Sequence, residues 1–319
     1  MTGVQVSLIF PTHNRKEMMR ELLTTLPDRA GTDCEVIVID DASTDGTVRM
    51  IQDEFPAVRV IRNTVARGFD ALPEAICAAR GEFVFQLDDD AYPAQGTVQR
   101  VVEHFCERGP QLALVALPFV EPNCGRRSYT PYFPELREGQ RYAPTRGFHA
   151  GAVAFRREAA LLVPPSPEGY FMYETEPPTV IEYLARGWEA DYLPGAPVYH
   201  RWDARGAKVK ARAAYLPLRN DLVTIRRYYR GWRKTEMLVG RYLTGVLHLA
   251  TAGQPGAVFR AAREADAMLA ERPAKEIPAD ILDRVYPCFD GLTLTTLLSE
   301  TNRRRVGWFL GFTPIDQTC

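Results

Sequence analysis

Residues 81–93 read GEFVFQLDDDAYP. A run of mostly apolar, strand-forming residues, Phe83 to Leu87, passes directly into three consecutive carboxylates, Asp88, Asp89 and Asp90, with Pro93 close behind. Three like charges side by side repel. Outside a solvated acidic tail such a cluster calls for a counter-charge, and a hard divalent cation carrying phosphate is the most economical one. The buried-type strand upstream puts the cluster at the carboxyl end of a sheet, where ligands bind in open α/β folds.

Strand-type and helix-type runs alternate on the N-terminal side of this stretch. VQVSLIF (4–10) precedes a helical pattern from Lys16 to Leu26, and EVIVID (35–40) precedes a helix opened by Ser43, Asp45 and Gly46. AVRVIR (57–62) is followed by a helix over about 70–80, then by FVFQL (83–87). This βαβαβαβ order predicts an α/β fold with a Rossmann-like, doubly wound, mostly parallel sheet and right-handed crossovers. A helix over 95–107 and a strand over 112–120 continue it.

The second half is less regular. EPNCGRRSYTPYFPELREGQRYAPTRG (121–147) is rich in Pro, Gly, Arg and Tyr and has no period, which reads as a long functional loop. FHAGAVAF (148–155) resumes a strand. A helix over 179–186 stops at Gly187, strands follow in EADYLP and APVYH, and from about 211 the pattern is helical to the end. The expected division is 1–110, 111–210 and 211–319, the last a helical C-terminal region.

At 319 residues with 46% hydrophobic residues, the chain has material for a sizeable core. A formal net charge of -1 disfavours nucleic acid as a global partner. The six cysteines (34, 77, 106, 124, 288, 319) show no metal-binding spacing and read as reduced thiols. No secretory leader pattern opens the sequence, and the most apolar stretch, 236–251, contains Glu236, Arg241 and His248. The expectation is a cytoplasmic protein, with membrane contact no more than peripheral.

Two further strand ends carry polar residues. The first strand runs into Pro11, Thr12, His13, Asn14 and Arg15; the second ends in Asp40 and Asp41 before ASTDGT. Neither is followed by GxGxxG, so a dinucleotide fingerprint is absent. The Gly-rich, basic loop that a nucleotidyltransferase needs for a triphosphate is absent too. Asp40, Asp41 and Ser43 either accept hydrogen bonds from a base or ribose, or cap the following helix.

Taken together, VSLIFPTHNR, EVIVIDDASTDGT and GEFVFQLDDDAYP resemble the N-terminal half of family 2 glycosyltransferases of the GT-A fold. The resemblance implies a nucleotide pocket lined by Pro11, Thr12, Asn14 and Arg15, with Asp41 on the base and Asp40 supporting it. Asp88 and Asp90 become the outer members of a DxD motif. Asp90 is then the direct ligand of Mn²⁺ or Mg²⁺, and Asp88 and Asp89 lie nearer the ribose or metal-bound water. The family's Arg-Asn pair is missing: Leu72 and Pro73 stand at its place, which turns attention to Arg67 as the cation for the diphosphate.

By the same resemblance the general base precedes the glycine that ends its helix by 11 residues, which from Gly187 gives Glu176, with Glu174 in reserve. Pro178 and Thr179 replace the family's second acid and leucine, and proline is acceptable in a first helical turn. Glu174 and Glu176 as surface residues at a helix start is the competing reading. His200 falls where such enzymes place a late metal-proximal histidine; His149 is expected near the acceptor, and His13 beside the base or idle. YLPLRNDLVTIRRYY is similar, more weakly, to rhamnosyltransferase-like members.

Residues 201–234 hold eleven Arg or Lys against Asp203 and Asp221. A solvated helix face, a grip on an anionic donor or on a phosphorylated or lipid-linked acceptor, and docking on an anionic membrane remain open. The implied function is metal-dependent, inverting transfer from a UDP- or dTDP-sugar to an acceptor hydroxyl. The alternative is a non-catalytic nucleotide-sugar-binding or scaffold protein, kept open by the altered helix start at Pro177 and Pro178.

Overall fold

The computed structural model describes residues 5–31, 34–120, 136–201 and 214–285. The chain separates into two compact units, Met1–Trp202 and Asp203–Cys319.

In the first unit the alternation opens with β1 (Val6–Thr12), α1 (Lys16–Ala30), β2 (Cys34–Asp41), α2 (Thr47–Glu54) and β3 (Arg59–Asn63). A 3₁₀ turn (Gly68–Ala71) leads into α3 (Leu72–Ala78), then β4 (Phe83–Leu87), β5 (Ala91–Pro93), α4 (Thr97–Arg108), β6 (Leu112–Ala116) and β7 (Phe119–Val120). From residue 136 onward come β8 (Ala143–Pro144), β9 (Ala152–Arg156), α5 (Arg157–Leu162), α6 (Glu176–Leu184), β10 (Glu189–Tyr192) and β11 (Val198–His200). An eight-stranded sheet has the order β3-β2-β1-β4-β9-β6-β10-β8, and β5-β11-β7 form a small second sheet. The four strands from β3 to β4 are parallel, as the alternation predicts.

Three details differ from the sequence reading. β9 runs antiparallel between β4 and β6, a pairing that needs no helical crossover. The expected strand 112–120 divides, because Pro118 has no N–H to donate to a ladder. Its carbonyl instead receives Val198 N–H (2.8 Å), and β7 joins the second sheet beside β11. The expected helix 179–186 starts earlier, at Glu176, with Pro177 and Pro178 in a first turn where no intrahelical N–H bond is lost.

β4, β6 and β9 are buried along their whole length, as central strands covered on both faces should be. Phe83 stacks on Phe105 of α4 at 4.6 Å between ring centres. Each such fully buried Phe, Leu or Ile contributes about 1.5–3 kcal/mol. Gly81 marks where α3 returns to the sheet: a Cβ there would lie 2.6 Å from Ser7 N, and Gly81 N–H donates to Ser7 Oγ (2.9 Å). Ser7 in turn donates to Glu35 (2.6 Å), tying β1 to β2.

The second unit contains α7 (Leu216–Tyr228), α8 (Gly231–Thr251), α9 (Ala257–Glu271) and α10 (Ala279–Val285). Gly245 of α8 permits close packing, since a Cβ there would meet Leu218 Cδ2 at 2.8 Å. Among the described residues no helix is long and apolar enough to cross a membrane. Cys34, Cys77 and Cys106 are free thiols; Cys124, Cys288 and Cys319 lie outside the described residues.

Candidate active site

β4 ends at Leu87, and Asp88 O accepts Ala91 N–H (3.0 Å) in the tight turn that leads to β5. The turn gathers the three carboxylates. A Cβ on Gly151, at the start of the neighbouring strand, would stand 2.3 Å from Asp88 Oδ2; only glycine admits the carboxylate there. Thr12 Oγ1 donates to Asp89 Oδ2 (2.7 Å), and Arg15 donates to Asp89 Oδ1 (3.0 Å) and Asp90 Oδ2 (2.7 Å). Of the residues expected to line the nucleotide pocket, Thr12 and Arg15 thus reach the acidic cluster itself.

His200 stands 110 positions after Asp90, yet pairs with Ala91 across the antiparallel β5–β11 ladder. Its Nε2 lies 3.3 Å from Asp90 Oδ1. One donor atom each from Asp88, Asp90 and His200 falls within a 4.8 Å span. His149 shares the site: Phe119 stacks on both imidazoles, at 4.2 Å from His149 and 4.4 Å from His200.

The charges are unequal. Burial, then repulsion from Asp90 and Asp89, pushes Asp88 up to about 7. Burial raises Asp89 to about 6 against the pull of Arg15. Burial also acts to raise Asp90, but hydrogen bonds from His200 and Arg15 outweigh it and hold Asp90 below the ordinary carboxylate range. Burial lowers His149 to about 4 and keeps it neutral. Three carboxylates thus face one guanidinium and one imidazole. A divalent cation on the Asp88, Asp90 and His200 oxygens and nitrogen fits this donor set and completes its charge balance.

The β1 and β2 loops interlock beside the cluster. His13 Nδ1 donates to Asp41 O (2.6 Å), Asn14 N–H donates to Ser43 Oγ (2.8 Å), and Asn14 Oδ1 accepts Thr44 N–H (2.8 Å). Asp40 is fully buried and accepts Ser43 N–H (3.2 Å). Asp41 accepts Asn63 Nδ2 (3.0 Å), Arg67 N–H (2.7 Å) and Gly68 N–H (2.9 Å). Pro11 is half-buried within β1. Arg67 enters this network through its backbone; its side chain bonds Glu74 (3.2 Å) and Asp70 O (3.0 Å).

Glu176 opens α6. Burial, reinforced by the neighbouring Glu174 and opposed by the backbone N–H groups of Glu176, Ala150 and Thr175, raises it to about 7. Gly151, next to Ala150 in sequence, packs on Asp88. Glu174 has φ 53°, following Phe171 at 64° and Tyr173 at 65°. Such left-handed conformations in non-glycine residues cluster at functional sites; the other two described instances, Asn14 and Ala42, lie in the β1 and β2 loops.

Four contributors were not evident from sequence: Phe119, Gly151, Gly68 and Asp70. Asp70 Oδ1 accepts Gly169 N–H (2.9 Å) and Phe171 N–H (3.5 Å), across 99 and 101 positions. For Gly68 and Asp70 the sequence signal is a glycine and an acid inside a segment that departs from the expected motif. The unassigned 121–147 loop is described only from 136, and β8 within it pairs with β10. Of the basic 201–234 stretch, 202–213 lie outside the described residues; Arg219, Arg226 and Arg233 pair with Glu264, Asp266 and Asp283.

A mixed sheet of this order with an acidic strand end defines the GT-A class of glycosyltransferase folds. Residues 7–161 match the model of glycosyl transferase family 2. It is 28% identical to an uncharacterized glycosyltransferase, EpsJ, of Bacillus subtilis, over 41% of this chain and 38% of EpsJ. It is 29% identical to the poly(ribitol-phosphate) beta-N-acetylglucosaminyltransferase TarS of Staphylococcus aureus, over 36% of this chain and 21% of TarS. The matched segments therefore span well under half of those relatives.

Among solved structures, a Pyrobaculum calidifontis mannosyltransferase in complex with GDP-Man and Mn²⁺ superposes with a TM-score of 0.56 at 22% identity, covering 97% of this chain and 84% of that one. TarS 1–349 of S. aureus in complex with UDP-GlcNAc gives 0.60 at 17% identity, covering 97% and 89%. At these identities the likeness concerns the fold.

Proposed function

We propose that this protein is a metal-dependent, inverting glycosyltransferase that moves a sugar from a UDP- or dTDP-linked donor to an acceptor hydroxyl. The observation that carries the reading is a carboxylate–imidazole group that wants a divalent cation, Asp88, Asp90 and His200, together with the half-buried Glu176, whose proton affinity is raised to near neutrality.

Asp90, Asp88 and His200 would hold Mn²⁺ or Mg²⁺, which when bound supplies Lewis-acid assistance to the diphosphate leaving group. Arg15 orients Asp89 and Asp90 toward it. Thr12 fixes Asp89, while the interlocked loops of Pro11, Asn14, Asp40 and Asp41 form the nucleoside side. Arg67 shapes that side through its backbone N–H. Glu176 accepts the acceptor hydroxyl's proton while that oxygen bonds to the anomeric carbon. The carbon–phosphate oxygen bond breaks on the opposite face, and its electron pair leaves with the nucleoside diphosphate. Glu174 stands in reserve for the same role.

A base whose proton affinity is centred near pH 7 is matched to this task, because it is substantially ionised at neutral pH yet still basic. In this reading residues 1–110 are the donor half and 111–210 the acceptor half, followed by a helical region from 211; the acceptor is a saccharide, lipid-linked or other hydroxyl compound. Basic residues of 201–234 give it peripheral affinity for an anionic membrane.

A panel of nucleotide-sugars tested by thermal shift, with and without Mn²⁺, checks the reading. One donor should stabilise the protein only when the metal is present, by about 2.7 kcal/mol at a hundredfold excess over Kd. Stabilisation by a nucleotide-sugar that is indifferent to Mn²⁺ and to EDTA contradicts it.

A further inference from the structure

The loop of Arg67 to Asp70 is anchored at both ends. On one side Asp41 accepts the N–H groups of Arg67 (2.7 Å) and Gly68 (2.9 Å). On the other, Phe69 N–H donates to Phe171 O (2.6 Å), and Asp70 Oδ1 accepts Gly169 N–H (2.9 Å) and Phe171 N–H (3.5 Å). The contact is intimate: Gly68 has φ +55°, and a Cβ on it would stand 2.3 Å from Phe171 O. The segment so held then passes through three left-handed non-glycine residues, Phe171, Tyr173 and Glu174, and reaches Glu176 two residues later. Such conformations persist only where the surroundings over-determine them.

We propose that Asp70 is a positioning residue for the reaction: its carboxylate fastens the Gly169–Phe171 backbone to the Asp41-anchored loop and thereby sets where Glu176 stands. The inference rests on the reading of Glu176 as the base. Asp70 occupies the segment where the family's Arg-Asn pair is missing, so this chain has put a backbone-fastening acid near that departure. A loop held at one end by the donor-side aspartate and at the other by the base-bearing segment spans the two halves of the reaction. Misplacement of a catalytic group by about 1 Å costs about 100-fold in rate, so a fastening of this kind is felt in turnover more than in donor affinity.

The test compares Asp70→Ala, Asp70→Asn and the wild-type full chain. Asp70→Ala should lower kcat by about 10- to 100-fold while donor KM and Mn²⁺-dependent donor stabilisation change less than about twofold. Asp70→Asn keeps a carbonyl oxygen acceptor and should recover most of the loss. Amide hydrogen exchange at Gly169 and Phe171 should speed up in Asp70→Ala and not in Asp70→Asn. Unchanged exchange there, or equal losses in kcat and donor affinity, overturns the proposal. Should Asp70→Ala not fold, Gly68→Ala drives a methyl against Phe171 O and should give the same exchange signature; its absence is equally contrary. The exchange arm needs no turnover, so it judges the fastening even if the chain transfers no sugar.

Discussion

Asp88, Asp89 and Asp90 are adjacent in sequence but differ in chemistry, because their surroundings differ. Asp90 has His200 and Arg15 and stays ionised, while Asp88 sits against Gly151 with two like charges beside it. The sequence showed the cluster and its position at a strand end. It did not show the division, which depends on partners 63 to 110 positions away. Gly151→Ala should abolish Mn²⁺-dependent stabilisation, because its Cβ would occupy the place of Asp88 Oδ2. Calorimetric titration with Mn²⁺ reads this directly; wild-type affinity would show that Asp88 is not a ligand.

Glu176 makes a second residue-level prediction. The unprotonated form is the base, and its pKa is raised to about 7, so kcat/KM should rise between about pH 6 and pH 8 and level off above. An acid limb near the ordinary value of 4.5 would contradict the assignment. Glu176→Gln should lower kcat by about 10²–10⁴-fold with donor binding intact. It also has a stability signature. With a folded pKa above the unfolded one, the native state binds more protons between the two values, so stability falls as pH rises from about 4.5 to about 7. Gln lacks that loss; the variant should be more stable than wild type at about pH 8, by on the order of 2–3 kcal/mol, and not at about pH 4. Urea midpoints at the two pH values measure the difference.

Among the elements, the parallel half of the sheet was legible because each of its strands is a short apolar run followed by a helical period. The direction of β9 was not, since a strand's apolar period carries no information about which way its neighbour runs. Nor was the second sheet, whose strands β5, β11 and β7 have only two or three residues each; it is this sheet that brings His200 to Asp90. α6 starts at Glu176, three residues before the expected 179, because Pro177 and Pro178 sit in a first turn where their fixed backbone suits the helix. Glu176 was reached only by counting along a family pattern, and Asp70 could not be reached, because no period or motif connects it to Gly169. Gly81→Ala tests how tightly the α3–β4 return is fitted to β1. Its Cβ would meet the Ser7 backbone, and the overpacking should destabilise by about 1–3 kcal/mol in the denaturant midpoint.

For the whole molecule, the family match covers residues 7–161 and so includes the acidic cluster and Gly151 but neither Glu176 nor His200. Those two residues lie beyond it, in the part of the first unit where sequence identity gives least guidance. The β5–β11 ladder brings His200, from beyond the match, to Asp88 and Asp90 within it. Metal-dependent, inverting transfer is the reaction proposed for this chain. Its most direct test is turnover of nucleotide-sugars by the full chain with an acceptor series, with and without Mn²⁺, recording released nucleoside diphosphate and the anomeric configuration of the product. Release should depend on the metal, proceed with one donor class and give an inverted product; retention of configuration, or release that ignores EDTA, rules this reaction out.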